Sequence, residues 1–231
     1  RNHDMTRQQL ASLLSDIRQV GIGVLGDFCL DAYWELDPAL SEMSIETGLA
    51  TRAVSRQRYS LGGAGNVVAN LIAMGVTRVS AFAVLGADPF GREMVRILQA
   101  RGVDTAGVLV QEERWETPVY VKPIESDREQ NRIDFGNANL LAPRTGAALL
   151  ASLGAARGRL DLLIVNQQLA HGIHTPEFRA GLAGLLAGAG PGIPPTVVDS
   201  RAWSDQYTGA IRKINDREAL RLRGEAWDSE E

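Results

Sequence analysis

The 231-residue sequence contains a single cysteine, Cys29, so no disulfide can form within the chain. The lack of disulfides is typical of proteins from a reducing compartment, and we expect a cytoplasmic location. No apolar run approaches the roughly 18 residues that a membrane-spanning helix needs. The first ten residues also lack the apolar core of a signal peptide. We therefore expect neither a membrane-inserted nor a secreted protein.

The sequence also lacks a large excess of charge of either sign. Its 24 lysines and arginines are dispersed and face 28 aspartates and glutamates, which gives a net charge of −4. Binding to nucleic acid or to an anionic membrane usually requires clustered basic residues. We expect neither of these partners, and a small molecule is favoured instead.

The sequence does contain an alternation of amphipathic and fully apolar segments. Helical spacing of apolar residues is found over 6–20, 66–74 and 89–102. Apolar runs at 22–28 and 78–86 are typical of buried strands. This order predicts an α/β fold in which helices cover a mostly parallel sheet.

A smaller β part is predicted beside this sheet. Residues 45–59 read as extended segments, and 117–126 and 131–135 read as a hairpin pair with a polar turn at 127–130. The chain is therefore expected to have two parts of unequal size.

One glycine pattern looks like a cofactor site but has the wrong context. Gly21, Gly23 and Gly26 spell G-x-G-x-x-G, yet a helix precedes them and they lie inside a predicted strand. Dinucleotide binding requires these glycines to follow a strand and to open a helix. We therefore do not expect nicotinamide or flavin binding there.

A second glycine-rich stretch does follow an extended segment and precede a helix. Gly62, Gly63 and Gly65 lie between an extended segment and a helix expected from Asn66. Without β-carbons, a ligand can approach the main-chain N–H groups closely. The alternative is a turn whose glycines only fit a strand to a helix.

Polar residues follow several of the predicted strands. Ligands of open α/β sheets bind at the carboxyl ends of the strands, so these side chains are candidates for one common site. Each of them alone is more typical of a helix cap or a solvated loop. They are Asp27, Asp31, Asp88, Asp199, Asn215 and Glu218.

Two blocks, GGAGNVVANLIAMG followed by GADPFGREMVRILQARGVDTAGV, resemble the first signature of the PfkB, or ribokinase-like, carbohydrate kinases in order and spacing. The segments GDFCLDAYW and MSIE are most similar to the heptose-phosphate kinase branch. The resemblance covers the chain from about Ile22 onward. It implies one C-terminally incomplete ribokinase-like α/β domain over 1–231, with lid strands at about 32–60 and 115–136.

The resemblance also implies where a sugar binds. Asp31 matches the aspartate that bonds sugar hydroxyls, and Gly62, Gly63 and Asn66 match the segment that holds the sugar from the opposite side. Gln168 lies in a further stretch expected to face the substrate. A sugar hydroxyl is both donor and acceptor, so a carboxylate and an amide around main-chain N–H groups suit it.

A nucleotide site is implied near the end of the chain. Asn215 and Glu218 match the N-x-x-E motif that helps to organise magnesium and the phosphates of ATP, with Lys213 nearby. Glu218 is the expected magnesium contact. The alternative for Glu218 is a first-turn glutamate favoured by the helix dipole. The lids of this family often meet in a homodimer, which we expect here too.

Two departures from the heptose-phosphate branch concern the substrate. Glu42 replaces an arginine, and residues 168–172, Gln-Leu-Ala-His-Gly, replace an Asp-Tyr-x-Lys-Gly stretch. The loss of two cations weakens the case for a phosphorylated sugar.

A third departure concerns catalysis. The D-T-x-G-A-G-D segment, which carries the family's aspartate base, is not found before Glu231, so no catalytic residue is predicted. Three explanations are open: the chain is cut short, it is only an ordered part of a longer protein, or it is a true sugar-binding module without activity. The prediction is a magnesium-dependent ATP:sugar kinase, with the non-catalytic sugar-binding module as the alternative and a dehydrogenase as a distant third.

Overall fold

The computed structural model describes residues 5–187 and 194–224, so the predicted domain limits at 1 and 231 lie outside the described residues. The helices are α1 (Arg7–Asp16), α2 (Ala64–Ala73), α3 (Pro89–Ala100), α4 (Pro143–Ala156), α5 (Pro176–Ala187) and α6 (Asp216–Arg223). The strands are β1 (Gly21–Gly26), β2 (Phe28–Leu36), β3 (Val54–Gly63), β4 (Arg78–Gly86), β5 (Asp104–Gln111), β6 (Val119–Glu125), β7 (Arg128–Glu129), β8 (Ile133–Phe135), β9 (Leu162–Gln167), β10 (Thr196–Ser200) and β11 (Ile211–Lys213).

Six strands form a parallel sheet in the order β11-β10-β9-β1-β4-β5. All of β1 and most of β4 are buried, as the apolar runs predicted. Parallel sheets are normally covered on both faces, and their strands therefore read as continuous apolar segments. The predicted α/β fold with a mostly parallel sheet is confirmed.

Helices pack on both faces of this sheet. On one face Val68 of α2 and Met94 of α3 are buried in one apolar cluster. On the other face Leu149 of α4 and Leu182 of α5 are buried with Val165 of β9 in a second cluster. Each such side chain contributes about 1.5–3 kcal/mol on full burial. The two clusters hold the carboxyl ends of the strands in fixed positions.

A smaller mixed sheet, which we call the lid sheet, contains β3, β2, β6 and β7 in that order, with β8 also paired to β6. Only Asp27 separates β1 from β2, so the lid sheet leaves the large sheet at the end of β1. β2 runs antiparallel to β3 and parallel to β6. Asp31, which was expected after a strand, lies within β2 and is paired with Ser60.

The hairpin of the lid sheet turns earlier than predicted. Ser126 and Asp127 have φ of +49° and +61° and connect β6 to β7. The sequence placed the turn over 127–130, but β7 already begins at Arg128. Polar turn residues such as aspartate adopt the left-handed conformation more readily than most, which allows this tight connection.

α1 begins with a capping box between Thr6 and Gln9. The Gln9 N–H donates to Thr6 Oγ1 at 3.2 Å, and the Thr6 N–H donates to Gln9 Oε1 at 2.8 Å. The helix ends at Asp16, before the predicted end at residue 20, and a 3₁₀ turn over Ile17–Gln19 follows it. Within 5–187 and 194–224, no helix combines the length and the apolar character needed to cross a membrane.

Candidate active site

The glycine-rich junction connects β3 to α2. Gly62 and Gly63 are the last residues of β3, and α2 begins at Ala64 instead of the predicted Asn66. Gly63 has φ +55° and ψ −131°, and a β-carbon there would overlap the carbonyl oxygen of Asp27. Only glycine fits this position without strain. The protein's own strand-to-helix connection therefore requires Gly63, whether or not a ligand also approaches it.

Asp31 lies beside Gly62 on one face of the lid sheet. A β-carbon at Gly62 would be 2.9 Å from Asp31 Oδ2, so any larger residue would crowd the carboxylate. Asp31 Oδ1 also forms an ion pair with Lys122 Nζ at 2.8 Å, and both side chains are 21% exposed. The structure thus brings together two of the predicted sugar-binding residues and adds a cation.

Two cations flank an aromatic ring near Asp31. The Tyr33 ring centroid is 4.0 Å from the guanidinium carbon of Arg58 and 5.0 Å from Lys122 Nζ. Burial acts to lower the pKa of Lys122, but the hydrogen bond and charge of Asp31, with a contribution from Tyr33, outweigh it and raise the pKa. Lys122 therefore stays charged at neutral pH. Sequence reasoning missed it because the pairing of β2 with β6 is not visible in either strand alone.

The other two predicted sugar contacts lie near the start of α2 and the end of β9. Asn66 is exposed in the first turn of α2. Gln168 is half-buried, and its main-chain N–H donates to Asp27 Oδ2 at 2.9 Å. Their roles as sugar contacts stay predictions.

Asp27 has a structural role. Its side chain is buried, and it accepts hydrogen bonds from the main-chain N–H groups of Gln168, Leu169 and Ile173 at 2.9–3.1 Å. A β-carbon at Gly172 would overlap this carboxylate. Asp27 therefore fixes the loop after β9 to the end of β1, and it is not available for a sugar in this conformation.

Asp88, in the second block of the family signature, also has a structural role. Asp88 caps α3, since its Oδ1 accepts from the Gly91 N–H at 2.7 Å. Its Oδ2 accepts from the Thr117 N–H at 2.8 Å, and Thr117 Oγ1 accepts from the Gly86 N–H at 3.0 Å. Asp88 thus ties the end of β4 and the start of α3 to the segment that enters the lid sheet.

The residues predicted to bind the nucleotide are engaged in two separate interactions. Asn215 and Glu218 make a capping box at α6: the Glu218 N–H donates to Asn215 Oδ1 at 2.8 Å, and the Asn215 N–H donates to Glu218 Oε2 at 3.0 Å. Lys213 Nζ forms an ion pair with Asp199 Oδ1 at 3.2 Å. Glu218 therefore lies in the first turn of α6, as the structural alternative predicted. A role in binding phosphates or magnesium stays a prediction.

The G-x-G-x-x-G glycines lie inside β1, as the sequence predicted. After them the chain continues through Asp27 into β2, and not into a helix. Cys29 is buried, and burial, followed by the charges of Asp27 and Asp31, raises the pKa of its thiol. A neutral, inaccessible thiol is a poor nucleophile.

His174 is buried between two oxygen atoms. Its Nε2 lies 3.2 Å from the carbonyl oxygen of Asn166, and its Nδ1 lies 3.2 Å from the hydroxyl of Tyr207. Nε2 must donate to the carbonyl, so a neutral ring accepts from Tyr207 through Nδ1. Burial is the main cause that lowers the pKa of His174, and the charge of Asp27 opposes it. His171, by contrast, is exposed.

This environment predicts a loss of stability in mild acid. Below the ordinary histidine pKa the unfolded chain binds a proton that the folded chain does not, so the free energy of unfolding falls with pH by up to about 1.4 kcal/mol per unit. We expect urea denaturation between pH 7 and pH 5 to show this slope, and His174→Gln to flatten it. His171→Gln is the control and should keep the slope. An unchanged slope in His174→Gln would contradict the assignment.

Gln167 was also missed by sequence reasoning. Its Oε1 accepts from Ser200 Oγ at 2.8 Å and from the Ala202 N–H at 3.1 Å, and its Nε2 donates to the Leu169 carbonyl at 2.9 Å. Gln167 thus connects the loops that follow β9 and β10. The polar residues at the end of β9 are visible in the sequence, but the sequence does not tell which of them point inward.

Comparison with known proteins agrees with this architecture. Residues 33–154, over half of the chain, match the family described as pfkB family carbohydrate kinase. The chain is 30% identical over 208 residues to the bifunctional protein HldE of Geobacter sulfurreducens, covering 89% of this chain and 41% of the relative. It is 32% identical over 206 residues to HldE of Caulobacter sp., covering 87% and 39%.

The fold has solved counterparts as well. A putative phosphofructokinase from Staphylococcus aureus superimposes with a TM-score of 0.67 at 17% identity, over 90% of this chain and 63% of that chain. The chain spans about two fifths of the length of the curated relatives it matches. On the family match, the chain belongs to the PfkB family of carbohydrate kinases and has their ribokinase-like fold.

Proposed function

We propose that the protein takes part in ATP-dependent phosphorylation of a hydroxyl group on a sugar or sugar phosphate. The observation that carries the proposal is the position of Asp31, held by Lys122 beside the bare main chain of Gly62. A partly exposed carboxylate next to a glycine suits a polyol, which needs strong hydrogen-bond acceptors and close approach. Family membership supports a carbohydrate as the ligand.

In this proposal β1 and β11 of the large sheet lead to two different binding regions. β1 leads into the lid sheet, where Asp31 accepts hydrogen bonds from sugar hydroxyls. β11 leads into α6, where Lys213, Asn215 and Glu218 approach the phosphates of ATP. Closure of the lid sheet over the sugar would exclude water, which otherwise competes with the sugar for the phosphoryl group. We assign no described residue as the base.

Magnesium fits the acidic residues near α6. Glu218 is half-buried in the first turn of α6, and within the described ranges no group of three or more His, Cys, Asp or Glu residues could hold a metal ion. Magnesium is often bound by one or two carboxylates together with waters and substrate phosphates. Glu218 would hold it in this way, and the ion would offset negative charge on the phosphates.

The cations of the lid sheet favour an acceptor that carries negative charge. Lys122 pairs with Asp31, and Arg58 lies over the Tyr33 ring, although the arginine and lysine expected for the heptose-phosphate branch are absent at Glu42 and at 168–172. We expect sugar phosphates to bind more tightly than the free sugars, with an affinity that falls as salt increases.

Lys122→Met tests the preference for a charged acceptor. It should reduce the affinity for a sugar phosphate about tenfold while changing that for the free sugar less, as measured by calorimetry at low salt. Arg56→Met is the control, because Arg56 of β3 pairs with Glu35 of β2 in the same sheet, away from Asp31. An equal loss for charged and neutral sugars in Lys122→Met would contradict the role given to Lys122.

We also propose a cytoplasmic homodimer. The segment 37–53 between β2 and β3 exposes Leu40, Met43, Ile45 and Leu49, and Ile45 is 98% exposed. Apolar side chains clustered at the surface often mark an interface between proteins. Sedimentation equilibrium of the protein should give twice the chain mass, and the mass of a single chain at micromolar concentration would contradict the dimer.

Turnover in a sugar panel tests the proposed function. We expect ADP release, followed in a coupled assay with ATP and magnesium, to depend on one sugar or sugar phosphate of the panel. Calorimetric binding of a sugar without ADP release would favour the alternative, a non-catalytic sugar-binding module. Binding of neither ATP nor any sugar would overturn the proposal.

A further inference from the structure

Asn166, near the end of β9, has a buried side chain without hydrogen-bond partners. Its exposure is 0%, and neither Nδ2 nor Oδ1 has a partner among the residues that the structure describes. The main-chain carbonyl is satisfied, since it accepts from the Asp27 N–H and lies beside His174 Nε2. A buried amide without partners costs about 1–3 kcal/mol, so its presence needs a reason.

The register of the large sheet gives Asn166 polar neighbours. Asn166 is paired with Gly26 of β1 on one side and with Asp199 of β10 on the other, and Asp199 is paired with Lys213 of β11. Residues in register on parallel strands point to the same face of the sheet. An amide, a carboxylate and an ammonium group therefore form one row at the carboxyl edge, and Gly26 adds no side chain to it.

The row lies between the two halves of the proposed site. β9 separates β1, which continues into the strand of Asp31, from β10 and β11, which lead to Asn215 and Glu218. A nucleotide bound over α6 would direct its terminal phosphate toward β9 if the sugar lies at Asp31. Asn166 is thus placed where the phosphate group nearest the acceptor would lie.

We propose that the Asn166 amide binds the γ-phosphate of ATP. Its Nδ2 hydrogens suit phosphate oxygens, which are strong acceptors, and Lys213 in the same row supplies a positive charge. This inference rests on the proposed function. Because the amide is covered in this conformation, nucleotide binding must also move the groups above it. The cost of the unpartnered amide is then offset only in the complex with nucleotide.

Asn166→Leu separates a ligand contact from a structural role. Leucine is close in size and removes the unpartnered polar atoms, so we expect the unfolding temperature of the free protein to stay the same or rise. Binding of magnesium with AMP-PNP, an ATP analogue that keeps a γ-phosphate group, should weaken at least tenfold in calorimetry. Binding of ADP should change less than twofold, because ADP lacks that phosphate.

Asn139→Leu is the matched control. Asn139 is also buried, but its Oδ1 accepts from the Glu116 N–H at 2.9 Å and its Nδ2 donates to the Glu116 carbonyl at 2.8 Å. Its replacement leaves two main-chain groups unpaired, so the unfolding temperature should fall. The ratio of AMP-PNP to ADP affinity should not change.

The results for these variants test the inference separately from the proposed function. If the wild-type protein binds AMP-PNP and Asn166→Leu binds it equally well, the inference is wrong and the kinase assignment stands. If Asn166→Leu loses stability as Asn139→Leu does, without a selective loss of AMP-PNP binding, a buried water or another structural partner satisfies the amide and the inference is also wrong. Asn166→Ala provides a second variant, and failure of both to fold would likewise overturn it. If the wild-type protein binds no nucleotide, both proposals fall.

Discussion

Asp31→Ala should weaken sugar binding by roughly a hundredfold or more and leave the fold nearly intact. A hydrogen bond to a charged acceptor contributes about 1.5–3 kcal/mol, and a carboxylate can accept two from neighbouring sugar hydroxyls. Each 1.4 kcal/mol corresponds to about tenfold in affinity, so losing both gives a factor of this size. The Asp31–Lys122 pair is partly exposed, and such pairs contribute only about 0–1 kcal/mol to stability.

Calorimetry with the acceptor identified by the sugar panel, together with urea denaturation, measures both effects of Asp31→Ala. Glu35→Ala is the control, because Glu35 lies on the same face of β2 and pairs with Arg56 at 3.8 Å, further from Gly62. It should change sugar affinity less than twofold. If Asp31→Ala lowers stability by several kcal/mol and reduces binding only in proportion to the unfolded fraction, Asp31 is a structural residue.

Gly63→Ala is expected to destabilise the protein by roughly 3–5 kcal/mol. Two causes add at this position. Its φ of +55° with ψ −131° is a conformation that residues with a β-carbon rarely adopt, and the new methyl group would overlap the carbonyl oxygen of Asp27. That oxygen accepts the first N–H of α2, from Ala64, at 2.9 Å. The substitution would therefore disturb the start of α2 and the end of β1 together.

Gly48→Ala separates the two causes. Gly48 has φ +68°, but a β-carbon there would meet nothing within 4 Å, so only the backbone strain of about 1 kcal/mol is expected. Urea denaturation of both variants gives the comparison. Equal losses would mean that the junction at Gly63 is looser than described and that its glycine is not needed for close packing.

The alternation of helices and strands was predictable because it depends on local patterns. The apolar runs of β1 and β4 and the helical stripe of α3 reflect burial on one or both faces, which sequence periodicity records directly. β2 was read less well. Its inner residues are apolar and its outer face carries Asp31, Tyr33 and Glu35. Asp31 was expected between the first strand and lid strands beginning at about residue 32, whereas β2 already begins at Phe28.

The roles of individual polar residues were less predictable, because they depend on distant partners. Asp27 and Asp31 look alike in sequence, four residues apart after the same apolar run. Asp27 is buried by N–H groups of a loop more than 140 residues further along the chain, whereas Asp31 faces Lys122 on a neighbouring strand. In the N-x-x-E motif, Asn215 and Glu218 have the spacing of a capping box as well as that of a phosphate site, so the pattern fits both.

The most direct test is a crystal structure of the protein with its sugar acceptor bound. We predict that sugar hydroxyl groups lie within about 3 Å of the Asp31 carboxylate oxygens and pack against the main chain of Gly62. An alternative beside the lid sheet is a cleft of about 430 Å³ lined by Ser41, Glu42 and Arg52. A sugar bound there, with Asp31 still paired only with Lys122, would contradict the account.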